Sequence, residues 1–244
     1  KTKYAGSYLG IIWAFIQPVI TVLVYWFVFE VGFRGGSDSL PVPFVLYLVA
    51  GIIPWFFFQD GLTGGTNSLL EYSYLVKKVV FNISVLPVVK ILSAVFVHLF
   101  FIVFITFLYC CYGHFPDVYY LQLLYYLAGL LLLILGLSYL TSAVVVFFRD
   151  LSQMISIALQ IGIWLTPIMW VAEDKLIHYP LLYKILKLNP VYYIVMGYRD
   201  VFIYKHWFWE RPLWTAYFWC FVIGVLWLGT RVFKKLRVHF ADVI

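Results

Sequence analysis

Charged residues are scarce in this chain, and their scarcity distinguishes it from soluble globular proteins. Only 11% of the 244 residues are Asp, Glu, Lys or Arg, whereas 64% are hydrophobic and 22% are aromatic. Soluble globular domains carry about 25% charged residues, so this composition excludes a soluble fold. The few charges stand between long charge-free apolar runs, which indicates an integral membrane protein.

Three further absences narrow the function. The chain has no Gly-x-x-x-x-Gly-Lys-Ser/Thr loop, so it cannot itself supply an ATPase. Its three cysteines lack the spacing of a metal site or a disulfide framework, and we predict no metal site and no cofactor in this chain. The acids Asp60, Glu71 and Asp150 are isolated in sequence, which disfavours catalysis.

The net charge of +6 does not indicate a nucleic-acid partner. Lys and Arg are spread over segments that flank the membrane and form no single face or stripe. Contact with anionic membrane lipids accounts for this distribution. The first residue is Lys1 and not Met, so we expect that residues precede it, and no cleavable signal segment is recognised.

Six runs can each hold the roughly 20 apolar residues that a transmembrane helix requires. A membrane barrel would instead show alternating segments of about 10 residues, and the run at residues 130–135 is apolar on every face. We predict an all-α membrane protein with a single transmembrane domain over residues 1–244. The predicted spans are residues 10–31, 41–61, 89–112, 120–148, 152–171 and 212–233.

The charges beside the last span predict the orientation. An even number of spans places both termini on one side of the membrane. The basic residues that follow the sixth span place that side in the cytoplasm: Arg231, Lys234, Lys235 and Arg237. The long segment between spans five and six is also basic, but long loops count little in this rule.

The connection between spans two and three predicts a surface helix. Three glycines are expected to break the second span: Gly61, Gly64 and Gly65. Ser68 and Glu71 then have the spacing of a capping box, so we predict a short amphipathic helix over residues 68–79 that reaches Lys77 and Lys78. This helix either lies in the lipid headgroups or docks onto a cytoplasmic partner.

Arg149 and Asp150 mark the turn between spans four and five. Asp150 and Gln153 have the spacing of the N-cap and N3 positions of the fifth helix, so we expect Asp150 to cap it. Arg149 is a candidate contact for a partner or a lipid phosphate.

The stretch at residues 173–211 does not have the pattern of a spanning helix. The pair Asn189-Pro190 favours a turn between two apolar pieces, and the second piece, residues 191–204, spans only about 21 Å of the ~30 Å hydrocarbon core. Placing Arg199 or Asp200 at mid-bilayer costs on the order of 3 kcal/mol each. We therefore predict two helices that enter from the outer face and return, with a flat interfacial hairpin as the alternative.

A series of short segments, each weak alone, resembles the permease subunits of ABC exporters for O-antigen and related cell-surface polysaccharides. The resemblance covers essentially the whole chain. The segments are, in order, Lys3-Tyr4, Ser7-Tyr8-Leu9-Gly10 with Trp13 and Pro18, Gly51-Ile52-Ile53-Pro54-Trp55-Phe56-Phe57, Asn67-Ser68-Leu69-Leu70-Glu71, Leu75-Val76-Lys77-Lys78, Leu86-Pro87, Arg149-Asp150, Thr166-Pro167-Ile168, Asn189-Pro190, Tyr198-Arg199-Asp200 and Phe240-Ala241-Asp242-Val243-Ile244.

The resemblance implies a homodimer in the bacterial inner membrane that works with two copies of a separate ATPase subunit, where ATP and Mg²⁺ bind. It also implies an amphipathic helix near residues 1–10, a coupling or gate helix at residues 68–78 and an outer re-entrant gate. The candidate coupling residues are Tyr4, Ser68, Glu71, Lys77, Lys78 and Arg149. The candidate gate residues are Asn189, Pro190, Arg199 and Asp200.

A lipid-linked polysaccharide needs a hydrated path with aromatic faces for sugar stacking and polar groups that exchange hydrogen bonds. Two stripes at four-residue steps are candidates for this path: Trp13, Gln17 and Thr21 in span one, and Ser152, Ser156, Gln160 and Trp164 in span five. Hydrogen bonding between helices is the competing explanation. Two alternatives to polysaccharide export also remain, a membrane enzyme for lipid-linked sugars and a drug or lipid exporter of the same fold.

Other conspicuous side chains have ordinary explanations. A set of aromatic residues fits an interfacial belt: Tyr119, Tyr120, Trp207, Trp209 and Trp214. His98 in span three is a candidate proton relay, but no acid accompanies it in its own helix. A neutral imidazole with a hydrogen-bond partner explains it more simply.

Overall fold

The structure is a computed structural model that describes residues 12–32, 40–76 and 82–240. In this part of the chain the regular elements are all helical, which confirms the predicted all-α class. The helices are α1 Trp13–Trp26, α2 Phe44–Glu71, α3 Ser73–Val76, α4 Val85–Cys111, α5 Gln122–Val145, α6 Leu151–Leu165, α7 Ala172–Lys175, α8 Pro180–Lys187, α9 Pro190–Arg199 and α10 Pro212–Leu236. Two π-helical turns (Phe27–Gly32, Asp200–Tyr204) and three 3₁₀ turns (Val118–Leu121, Phe208–Glu210, Arg237–His239) accompany them.

Four helical segments in the described residues are long and apolar enough to cross a membrane. They are Phe44–Glu71, Val85–Cys111, Val118–Val145 and Pro212–His239. The first and fifth predicted spans contain shorter apolar helices, Trp13–Phe29 and Leu151–Leu165. The 15 residues of α6 rise only about 22 Å, less than the ~30 Å core. Crossing by all six segments stays a prediction.

Helix α2 is the centre of the bundle. It contacts α1, α4, α5, α6 and α9. Of the 18 residues in its most apolar stretch 78% are buried, against 28% in that of α4 and 22% in that of α10. Helix α2 also carries the polar residues Gln59, Asp60, Thr63 and Asn67, which are costly to place against lipid and favour a central position. Helices α4 and α10 instead leave apolar faces exposed, as a membrane-spanning helix can toward lipid.

The predicted break in the second span is wrong, because α2 runs without interruption through its glycines to Glu71. A Cβ at Gly65 would lie 2.2 Å from Ser138 Oγ of α5, so this glycine permits a close approach of two helices. Ser68 is buried inside α2 and donates from Oγ to the Gly65 carbonyl at 2.7 Å. It therefore does not begin a capping box, and Ser73–Val76 is the part of the following helix α3 that the structure describes.

Asp150 occupies the N-cap position of α6, but it makes no side-chain capping hydrogen bond. Its backbone is helical, with φ −64° and ψ −19°. An N-cap residue typically has an extended backbone, which lets its side chain accept a hydrogen bond from the amide two or three residues further on. The predicted helix start is therefore found, and the predicted cap is not.

The bundle has two ends that differ in composition. At one end, Leu69, Leu86, Phe233 and Phe240 close an apolar cluster between α2, α4, α5 and α10. We call this the tail end. At the other end, the start of α2 meets the segment that follows α6, the hairpin of α8 and α9, and the loop before α10. We call this the hairpin end.

Candidate functional site

A partly open cavity of about 540 Å³ lies between α1, α2, α4 and α6. It brings together residues from both predicted polar stripes: Gln17 and Thr21 from α1, and Gln160 and Trp164 from α6. Helix α2 adds Gln59, Asp60, Thr63, Phe56 and Phe57, and α4 adds His98 and Phe101. The lining thus combines aromatic faces with amides and hydroxyls.

Three members of the stripes lie outside this lining. Trp13 is 41% exposed at the start of α1. Ser152 donates to Asn67 Oδ1 of α2 at 2.8 Å, which is a bond between helices, and Ser156 donates to the Ser152 carbonyl at 3.0 Å. Hydrogen bonding between helices therefore accounts for Ser152, whereas Gln160 and Trp164 line the cavity. The role of the lining residues in transport stays a prediction.

His98 forms part of the cavity wall and is almost fully buried. Its Nε2 lies 2.7 Å from the hydroxyl of Tyr198 in α9, and its ring stacks on Phe57 with centroids 4.6 Å apart. A phenol and an aromatic ring hold the imidazole in place. Because Tyr198 is 100 residues further along the chain, sequence spacing gave no sign of this pair.

The hairpin of α8 and α9 turns at Asn189 and Pro190, where the sequence predicts a turn. Asn189 Oδ1 accepts a hydrogen bond from the Val191 amide at 3.0 Å, and Pro190 is the first residue of α9. Asn189 Nδ2 donates to Thr166 Oγ1 at 3.0 Å. Asn189 thus caps α9 and ties the hairpin to the residue that follows α6.

Arg199, a candidate gate residue, is fully buried at the end of α9. Its two terminal nitrogens donate to the carbonyls of Pro167 and Ile168, each at 2.7 Å, and its guanidinium lies 3.6 Å from the ring centroid of Tyr47. The sequence singled out this arginine for its cost in a membrane. It gave no indication that the partners are backbone carbonyls just beyond α6.

Asp200 has a separate partner. Arg211 donates two hydrogen bonds to its carboxylate, at 2.9 and 3.1 Å, in a bidentate pair that joins the end of α9 to the start of α10. The carboxylate side chain is only 5% exposed. This salt bridge offsets the free-energy cost of burying the Asp200 carboxylate.

Aromatic side chains of the proposed belt gather on the loops of the hairpin end. Trp207 stacks on Trp209 with centroids 4.4 Å apart and lies 5.0 Å from the Tyr119 ring. Glu210 closes this loop, and the hydrogen bonds from the Trp207 amide and His206 lower the pKa of its carboxyl.

The candidate coupling residues that the structure describes differ in exposure. Glu71 is partly exposed and pairs with Lys90 of α4, and Arg149 is exposed beside the exposed rings of Phe147 and Phe148. Ser68 is buried, so its side chain is not exposed for contact with a partner. Tyr4, Lys77, Lys78 and the amphipathic helix predicted near residues 1–10 lie outside the described residues.

Comparison with known proteins gives a family match over most of the chain. The model of the family described as ABC-2 type transporter matches residues 1–203. A curated protein of Klebsiella pneumoniae described as "O-antigen export system permease protein RfbA" is 26% identical over 247 residues, which covers 100% of this chain and 91% of the relative. A protein of Myxococcus xanthus with the same description is 26% identical over 248 residues, with the same coverage.

Proposed function

Since the chain belongs to the ABC-2 type transporter family and is a membrane permease, we propose that it exports O-antigen or a related lipid-linked polysaccharide. The full-length similarity to O-antigen export permeases from two organisms supports this substrate class. The cavity carries the proposal in physical terms, because its lining joins aromatic rings with amides and hydroxyls. Such a surface stacks on sugars and exchanges hydrogen bonds without binding one residue so tightly that the next is stalled.

The energy for export comes from a separate ATPase subunit in this proposal. The sequence lacks a phosphate-binding loop, and permease subunits of ABC exporters work with such a partner. The exposed Glu71 and Arg149 at the tail end are the described candidates for contact with it. The basic residues of the last turns of α10, among them Lys234 and Lys235, favour a tail end in the cytoplasm and a hairpin end that faces outward.

A homodimer accounts for the face that α1 and α6 leave uncovered. Gln17 of α1 and Gln153 and Gln160 of α6 are exposed although both helices are apolar. Exposed amides are costly in hydrocarbon, so this face needs protein or water beside it. We propose that a second copy of the chain packs here and that the polysaccharide passes between the two cavities.

Removal of the gene from its native cell tests the function. We expect lipid-linked polysaccharide to accumulate inside the cell and to disappear from the surface, and a plasmid copy to restore export. Purification of the tagged subunit from native membranes is expected to recover an ATPase in equal amounts. Normal surface polysaccharide in the deletion strain would contradict the proposed substrate.

The cavity is tested by substitution of its lining. The double variant Gln160→Ala and Trp164→Ala removes an amide and a ring that face the path, so we expect slower export at normal expression. Ile223→Ala on α10 is the matched control, because Ile223 is 61% exposed on a different face of the bundle. Equal export by both variants would return Gln160 and Trp164 to a packing role.

A further inference from the structure

We propose that Tyr198 and Arg199, adjacent residues in the last turn of α9, are positioning residues that set the width of the transport path near its outer end. The inference rests on the proposed function, since it requires the cavity to be the path. It assigns to the hairpin a mechanical connection to two walls of that cavity.

The first connection runs from Arg199 to α6. The carbonyls of Pro167 and Ile168 lie just beyond the end of α6 and would need other partners without this arginine. The planar guanidinium presents its donors in a fixed fork and so defines the place of both carbonyls. Gln160 and Trp164, which line the cavity, stand within the two turns of α6 that precede this point.

The second connection runs from Tyr198 to α4 and α2. The Tyr198 hydroxyl holds His98, and His98 stacks on Phe57, so both residues of the cavity wall are supported from α9. Consecutive residues of one helical turn therefore hold the α4 wall and the α6 wall. These two contacts fix the distance between the walls, and loss of either contact frees one wall to move relative to the other.

The surroundings of Arg199 are shaped for this one side chain. The guanidinium stacks on Tyr47, and a Cβ at Gly51 would lie 2.9 Å from Nη2. Within the described residues Arg199 forms no ion pair, so carbonyl dipoles and an aromatic face offset its desolvation. Apolar residues of the same volume pack such a site at lower cost, which favours a role in placing α6 over a role in packing alone.

Asn189 adds a second tie between the hairpin and α6. Its side chain donates to Thr166 Oγ1 at the other end of α9 from Arg199. Both ends of α9 are thus bonded to residues 166–168. The hairpin and the outer end of α6 consequently move together.

The test measures how readily a thiol in the path reacts. Gln160→Cys is introduced into a variant in which Cys110, Cys111 and Cys220 are replaced by Ala, and the complex with its ATPase is labelled in membranes with a water-soluble methanethiosulfonate. Arg199→Met keeps the length of the side chain and removes its hydrogen bonds. We expect the labelling rate to rise on the order of tenfold, the factor that corresponds to loss of a charged hydrogen bond.

Two further variants act on the same contacts with smaller changes. Gly51→Ala displaces the guanidinium, and Tyr198→Phe removes only the hydroxyl that holds His98, so each is expected to raise the rate less than Arg199→Met. Arg199→Lys keeps the charge without the fork and is expected to give an intermediate rate. Gly51→Ala combined with Arg199→Met should equal Arg199→Met alone, because both act through one contact.

The outcomes separate this inference from the proposed function. Unchanged labelling in Gly51→Ala and Tyr198→Phe, with both proteins folded by gel filtration, would overturn the positioning role. If Arg199→Met does not fold, these two variants decide the question. Labelling of Gln160→Cys that is the same with and without cellular polysaccharide would instead count against the path, whatever Arg199 does.

Discussion

The two ends of the bundle are held together by different forces. At the hairpin end, hydrogen bonds of buried charged and amide groups join α6, α9 and α10, with Arg199, Asp200 and Asn189 at their centre. At the tail end, the joint is mainly an apolar cluster, in which Phe233 and Phe240 are fully buried and their ring centroids lie 5.5 Å apart.

This difference has a consequence for movement. Apolar packing is non-directional, and its strength follows the area that is removed from water or lipid. Hydrogen bonds of buried charges require defined geometry, so they favour a few discrete arrangements over a continuous range. The contrast places the joint of defined geometry at the end that we propose to face outward, and the joint that tolerates small displacements near the proposed ATPase contact.

We expect the largest loss of unfolding free energy from Phe240→Ala, which removes a ring from the apolar cluster of the tail end. Removal of a fully buried phenylalanine costs about 3–5 kcal/mol of unfolding free energy. The measurement is the unfolding free energy in detergent, with Val238→Ala as control because Val238 is 73% exposed. A loss for Phe240→Ala that is no larger than that of the control would contradict the apolar joint.

A smaller effect is expected at the hairpin end from Arg211→Ala. The variant leaves the Asp200 carboxylate buried without its bidentate partner, and because Arg211 itself is 36% exposed we expect a loss of about 2 kcal/mol. The double variant with Asp200→Asn should lose less than the sum of the two single losses. Additive losses would show that the two side chains do not form a coupled pair.

The smallest effect is expected from Lys90→Ala at the tail end. Glu71, the partner of Lys90, is 47% exposed, and such pairs contribute less than about 1 kcal/mol. Unfolding free energy is again the measured quantity, and Glu71→Gln serves as the matched variant. A loss as large as that of Phe240→Ala would mean that charge, and not apolar packing, holds this end.

The sequence predicts those features that depend on local pattern. Long apolar runs predict the four long helices, and Asn189-Pro190 predicts the turn of the hairpin, because composition and turn chemistry act over a few residues. The four-residue steps of α1 and α6 predict which side chains share a face, so Gln17, Thr21, Gln160 and Trp164 meet in one cavity.

Features that depend on distant neighbours were not predictable in this way. The low helix propensity of glycine predicts a break at Gly65. In the structure Gly65 instead permits close contact with Ser138, which is 73 residues away in sequence. Arg199 likewise finds its carbonyl partners 31 and 32 residues earlier. Only the packing of α2, α5, α6 and α9 brings these groups together.

The most direct test of the account asks whether the cavity touches the polysaccharide during export. A photoreactive phenylalanine analogue is placed at position 160 or, as control, at position 223 on the exposed face of α10, and cells that are exporting polysaccharide are irradiated. We predict that glycan is cross-linked to the chain from position 160 and not from position 223. Equal cross-linking from both positions, or none from position 160 while export continues, would contradict a path through this cavity.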